Sequence, residues 1–191
     1  PGSGKTYTIN RYVAYLRERG IEPAITASTG IAATHIGGMT IHSWSGIGIR
    51  RELSDNDLVA LSNNKRLVKR ARRTKILIID EISMLDAKTL DAVEAACRAL
   101  KQDVWPFGGM QVVFVGDFFQ LPPVAREGEE APRFAFFSSA WEKADPAICY
   151  LGEQYRQADQ VFLSMLASGR RGAIRDQIHA VLASRKASPA A

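Results

Sequence analysis

Lys75 to Glu81 reads KILIIDE, four apolar residues in a row (Ile76 to Ile79) that end on two carboxylates, Asp80 and Glu81. A short, uninterrupted and mostly β-branched run suits a strand covered on both faces, the habit of parallel sheets. Open α/β sheets collect their ligands at the carboxyl ends of the strands, where these two acids fall. One carboxylate there can hold Mg²⁺ through its water shell, and its neighbour can polarise an attacking water. The plainer alternative is a strand that reaches the surface at two acids.

Working outward, the chain opens PGSGKT. Gly4, Lys5 and Thr6 supply the end of the phosphate-binding pattern G-x-x-x-x-G-K-[ST], whose leading Gly would fall before residue 1. In such a loop the backbone N–H groups of Gly2, Ser3, Gly4 and Lys5 surround phosphate oxygens, and the following helix adds its positive end. Lys5 would reach the β- and γ-phosphates, and the Thr6 hydroxyl would ligate Mg²⁺. The alternative is a glycine-rich turn before a helix. Finding both patterns in one short chain favours an ATP site. It also marks the chain, which does not begin with Met, as the expected fragment of a longer protein.

A second buried strand, QVVFVGDFF (111–119), runs into QLPPV. Asp117 and Gln120 therefore sit just past its end, and Gln120 can hydrogen-bond a γ-phosphate or the attacking water. PAITAST (23–29) reads as a short buried strand and AICYL (147–151) as a weaker one. Helical spacing recurs over residues 5–19 (Ile9, Tyr12, Val13, Leu16), with Gly20 as the stop, and over residues 86–101 (Leu90, Val93, Cys97, Leu100). GIAATHIG reads as a turn or two of helix, and MTIHSWSGIG as a loop holding a short helix. Residues 55–74 read as two helical pieces. Strands alternating with helices predict an α/β fold, a parallel sheet with helices on both faces.

The 191 residues suffice for one domain with a sizeable core, and 46% hydrophobic with 24% charged residues excludes a disordered chain. No apolar run approaches the length of a membrane span, and the N-terminus is not a signal peptide. The net charge of +5 allows a polyanionic partner. The two cysteines, Cys97 and Cys149, lie in apolar surroundings and read as buried free thiols. Lys65 to Lys75 holds seven basic residues and no acid. It either attracts nucleic acid or forms a solvated face over Leu67 and Val68. Thr29, Thr40, His42 and Ser43 can donate to phosphates, and Trp44 can stack on a base. Against this stand a structural role for His42 and a core position for Trp44.

Together these segments resemble the Pif-type DNA helicases of superfamily 1B, related to the RecD helicases. PGSGKT is similar to motif I of that family, TASTGIAA to motif Ia and GGMTIHSWSGIG to motif Ib. LIIDEISML is similar to motif II and runs into EISMLDAKTLDAVEAACRALK, similar to the family signature. FGGMQVVFVGDFFQLPPV resembles motif III and EQYRQAD motif IV, all in family order over residues 1 to about 160. The resemblance implies a RecA-like P-loop domain over residues 1–156 and a helical segment, 157–191, leading toward a second motor domain. In such a RecA-like sheet the strand feeding the glycine loop would stand between Gln111–Val115 and Ala147–Leu151. With that strand truncated, a gap is expected there.

The resemblance further implies ATP-driven 5′-to-3′ translocation on single-stranded DNA and unwinding of forked or structured DNA, with ATP and Mg²⁺ as cofactors. Lys5, Thr6, Asp80, Glu81 and Gln120 match the family's ATPase residues. Arg156 matches the motif IV arginine that contacts the γ-phosphate, the alternative being a surface arginine. A monomeric intracellular motor is implied, cytoplasmic in a bacterium or virus and nuclear or mitochondrial in a eukaryote. DNA repair, recombination, replication or telomere maintenance would be its setting. The rivals are a RecD-like or conjugative-relaxase helicase domain, and a nucleotide-binding switch that does not unwind.

Overall fold

The computed structural model describes residues 2–125, 131–152, 164–165, 168–169 and 172. The chain divides into two units, Lys5–Tyr150 and, separately, Pro1–Gly4 with Leu151–Ala191. In chain order the elements are α1 (Lys5–Arg17), β1 (Ala24–Ala27), α2 (Gly30–His35), β2 (Met39–Thr40) and α3 (Ile41–Ser45). They continue with α4 (Asp55–Asn63), α5 (Lys65–Arg73), β3 (Ile76–Asp80), α6 (Ala87–Lys101), β4 (Gln111–Phe114) and α7 (Ser139–Ala144). The four strands form one sheet in the order β2-β1-β3-β4, and every pairing is parallel. This is the α/β sheet that the sequence predicts.

All five residues of β3 are buried, because helices cover both faces of the sheet. The alternation of the pleat sorts them. Ile76 and Ile78 meet Ile9, Val13 and Leu16 of α1, with Val113 and Val115 alongside. Leu77 and Ile79 face the larger core, which holds Ile41, Trp44, Leu90, Val93, Cys97 and Leu100. Each such aliphatic side chain contributes about 1.5–3 kcal/mol on burial. α6 presents the four residues that its spacing predicts. Asp86 caps it, accepting from the Thr89 N–H (2.9 Å) and hydroxyl (2.8 Å).

Two residues of strand, β2, form where the sequence predicts only loop. Met39 and Thr40 pair with Thr26 and Ala27. Gly38 allows this, because a Cβ there would collide with the carbonyl of Ile25. Residues 147–151, in contrast, form no strand. Ile148 is 66% and Tyr150 88% exposed, and nothing pairs with the outer edge of β4 among the described residues. An apolar run becomes a strand only with a ladder partner and a covering layer, and among the described residues this one has neither. The same exposure corrects the reading of Cys149, which is an exposed thiol. Cys97 is fully buried, and burial raises its pKa. Among the described residues no helix is long and apolar enough to cross a membrane.

Candidate functional site

The carboxyl ends of β2, β1 and β3 stop in register. Thr40 pairs with Ala27, and Ala27 with Asp80. At about 4.8 Å per strand, roughly 10 Å separates the residue before α3 from the first acid of the pair. The fold thus puts Thr40 and the Asp80–Glu81 pair on one rim of one sheet.

Asp80 is buried at that rim. Its Oδ1 accepts the Glu81 N–H (2.9 Å). Burial raises its pKa, while the Glu81 N–H and then the charge of Lys5 act in the opposite direction. Glu81 is half-buried and its backbone is left-handed, φ 52° and ψ 44°, which costs a non-glycine residue about 1–2 kcal/mol. Its neighbours hold it there. The Ser28 hydroxyl donates to the Glu81 carbonyl (2.9 Å), and the Ser28 N–H donates to the Asp80 carbonyl (3.1 Å). On the far side the Ile82 N–H donates to the Val115 carbonyl (2.9 Å). The turn carrying the acids is thereby stitched to the exits of both neighbouring strands.

Gly116 follows β4 at a point where a Cβ would meet Ile82 Cγ2 at 2.9 Å and the Ser83 N–H at 3.3 Å, so only glycine lets the chain pass. The next residues fold into a tight turn. Asp117 accepts from the Phe119 N–H (3.1 Å) and from Gln120 Nε2 (3.0 Å). Gln120 is thus half-buried and tethered to Asp117. Phe118 anchors this turn with its ring edge-on to Phe134, Phe136 and Trp141, the centroids 4.8 to 6.0 Å away.

Thr29 and Thr40 are both helix caps. Thr29 Oγ1 accepts from the Ala32 N–H (3.2 Å), and Thr40 Oγ1 from the Ser43 N–H (3.2 Å). The Thr40 hydroxyl donates to Ser43 Oγ (3.1 Å), which leaves the exposed Ser43 with its own hydroxyl hydrogen for another acceptor. His42 is half-buried between them. Trp44 corrects the sequence reading. Its ring is 3% exposed and packs into the larger core, so it cannot stack on a base. Helical periodicity turns Ser43 outward and Trp44 inward. Arg70 of α5 closes over this segment, its guanidinium 5.8 Å from the Trp44 ring and donating to the carbonyls of Ser43 (2.9 Å) and Trp44.

Gly2 and Gly4, in the other unit, have φ of 83° and 80°, values at which glycine is favoured. Ser3 is half-buried and Thr6 exposed, in the first turn of α1. Arg156 lies outside the described residues. Sequence reasoning missed Ser28, Gly116 and Arg70. Ser28 and Gly116 stand inside quoted motifs, but their partners are far along the chain. Arg70 was one charge among seven.

A family model described as PIF1-like helicase matches residues 1–178. The ATP-dependent DNA helicase Pif1 of a Psychrobacter species is 59% identical over 157 residues, 82% of this chain and 24% of that protein. The chain spans about a quarter of the length of the curated relatives it matches. The crystal structure of Pif1 helicase from Candida albicans superposes with a TM-score of 0.84 at 40% identity, over 93% of this chain and 40% of that one. Pif1 helicase from Bacteroides, in complex with ADP-AlF3 and single-stranded DNA, gives 0.81 at 31% identity, over 99% of this chain and 46% of that one.

Proposed function

The chain belongs to the PIF1-like helicase family, and from that premise we propose that residues 1–156 are a RecA-like motor domain. It couples ATP hydrolysis to movement along single-stranded DNA and to duplex unwinding, with residues 157–191 leading toward a second motor domain. The observation that carries this reading is the buried Asp80, with Glu81 beside it at the strand ends and the charge of Lys5 acting on it. The Bacteroides relative, bound to ADP-AlF3 and single-stranded DNA, supports the same two ligands here.

In this reading Gly2, Ser3, Gly4 and Lys5 cradle the phosphates of ATP, and Lys5 neutralises the β- and γ-oxygens. Thr6 and Asp80 would hold Mg²⁺. The fit is good: Asp80 is a buried carboxylate at the strand ends, and among the described residues hydrogen bonds reach its Oδ1 alone. Bound there, the ion would offset charge on the transferring phosphoryl group. Glu81, its backbone pinned by Ser28, takes a proton from the attacking water. Gln120 swings between Asp117 and the γ-phosphate, and Arg156 adds positive charge in the transition state, a role that rests on its motif alone. Thr29, Thr40, His42 and Ser43 hold the strand, and the Ser28 bonds connect the neighbouring Thr29 to Glu81. The family resemblance supports a monomeric intracellular motor serving DNA repair, recombination or telomere maintenance.

DNA-stimulated ATP hydrolysis by the protein carrying this chain is the test. Glu81→Gln is expected to cut the rate at least a hundredfold and to retain ATP, whereas Lys5→Ala loses affinity for ATP itself. An unchanged rate in Glu81→Gln would refute the catalytic assignment. Unchanged nucleotide affinity in Lys5→Ala would refute the loop.

A further inference from the structure

A second site opens at the other end of the sheet. A cleft of about 690 Å³ lies at the amino-terminal ends of β1 and β3, floored by Pro23 to Ile25 and by Gly37 to Met39. Arg66, Lys69, Arg70 and Arg73 of α5 line it, with Arg17 from α1. Among the described residues Glu22 is its only acid, and it is already tied to Arg17 at 2.6 Å. Among the described residues no ion pair involves Arg66, Lys69 or Arg73, and all three are exposed. Arg70 is packed closely enough that its Nε is buried without a hydrogen bond. Burial, and then the charge of Arg66, hold Arg70 below its ordinary pKa. Cations crowded this way lack a counter-charge.

We propose that this cleft binds the phosphate backbone of single-stranded DNA, extending the grip of the Thr40–Ser43 segment. The inference rests on the reading of the chain as a DNA motor. Three observations choose the occupant. The four α5 residues fall at i, i+3, i+4 and i+7, one face of the helix, and reach about 10 Å along it. That row is too long for one phosphate and suits two or three successive ones. Trp44, the aromatic residue of the cleft wall, is buried against the core, so the contact is with backbone and independent of base sequence. Arg70 spans both places: it lines the cleft and holds the carbonyls of Ser43 and Trp44, so a strand here is continuous with the proposed DNA contacts of α3.

The test is the salt dependence of binding of an oligo-dT strand to the protein carrying this chain. Changing Arg66, Lys69 and Arg73 together to Gln should lower the slope of log K against log salt by about 2, from roughly 0.7 per phosphate contact. That is about a hundredfold loss of affinity near 0.1 M salt. Each single change should remove about 0.7 of slope. The matched control, Lys65→Gln with Arg72→Gln and Lys75→Gln, removes the same charge outside the cleft and should leave the slope nearly unchanged. Equal effects of the two triples, or none in the cleft triple while the unsubstituted protein binds, overturn the cleft alone. Failure of the folded, unsubstituted protein to bind any strand overturns the motor reading and this proposal with it. A slope lost only on a blunt duplex overturns the single-strand assignment. Thermal unfolding verifies that each variant is folded.

Discussion

Replacing Ser28 by Ala deletes one hydroxyl from the rim of the sheet. That hydroxyl, almost fully buried, donates to the Glu81 carbonyl at 2.9 Å. The Ser28 N–H bond to Asp80 survives, so β1 and β3 stay joined. A net hydrogen bond of this type contributes about 0.5–1.5 kcal/mol. It opposes the 1–2 kcal/mol that left-handed geometry costs Glu81, so its loss frees the turn to relax away from the geometry seen here. We expect stability to fall by about 1 kcal/mol, or roughly 2–4 °C in Tm. A comparable slackening at Glu81 should lower kcat about fivefold to tenfold, with KM for ATP unchanged because Lys5 is untouched. Calorimetry measures the change in Tm, and steady-state ATP hydrolysis at saturating DNA measures the change in kcat. Ser28→Thr, which keeps the hydroxyl, should recover most of kcat. If Ser28→Ala lowers Tm and leaves kcat intact, Ser28 is merely structural and does not position Glu81.

Two further variants probe the same rim. Gly38→Ala places a methyl against the Ile25 carbonyl and should push β2 away from β1, costing about 1–3 kcal/mol. Strand binding should weaken more than ATP binding, because Thr40 and Ser43 move with β2; equal loss of both would refute that order. Asp80→Asn should make the nucleotide-free protein more stable at neutral pH. Since the folded pKa is raised, the folded state holds the proton more tightly. The contribution of Asp80 to stability is therefore full in acid and is lost as pH rises from about 4 toward its folded value. The advantage of Asn should vanish below about pH 4, and a Tm difference independent of pH would refute the burial argument. Hydrolysis should be lost in the same variant.

β3 and α6 were legible because their signal is local. An unbroken run from Ile76 to Ile79 between polar neighbours leaves little besides a doubly covered strand, and Leu90, Val93, Cys97 and Leu100 repeat at helical spacing. The acids at 80 and 81 and the Gly4–Lys5–Thr6 end of the loop likewise carry their chemistry in residue type and order. Residues 147–151 look as apolar as a strand needs, yet strand formation depends on a neighbour's free backbone and not on their own composition. Trp44 could not be assigned either, since either face of a five-residue helix can be the buried one until its packing partner is known.

Sequence by itself determined the α/β class, the strand that ends on Asp80 and Glu81, and the family, because each is written in residues close together in the chain. Tertiary structure alone decided that Ser28 holds Glu81, that Gly38 admits β2, that Trp44 belongs to the core, and that four of seven basic residues share one cleft. Those facts are distances between segments tens of residues apart, and they exist only once the sheet has closed.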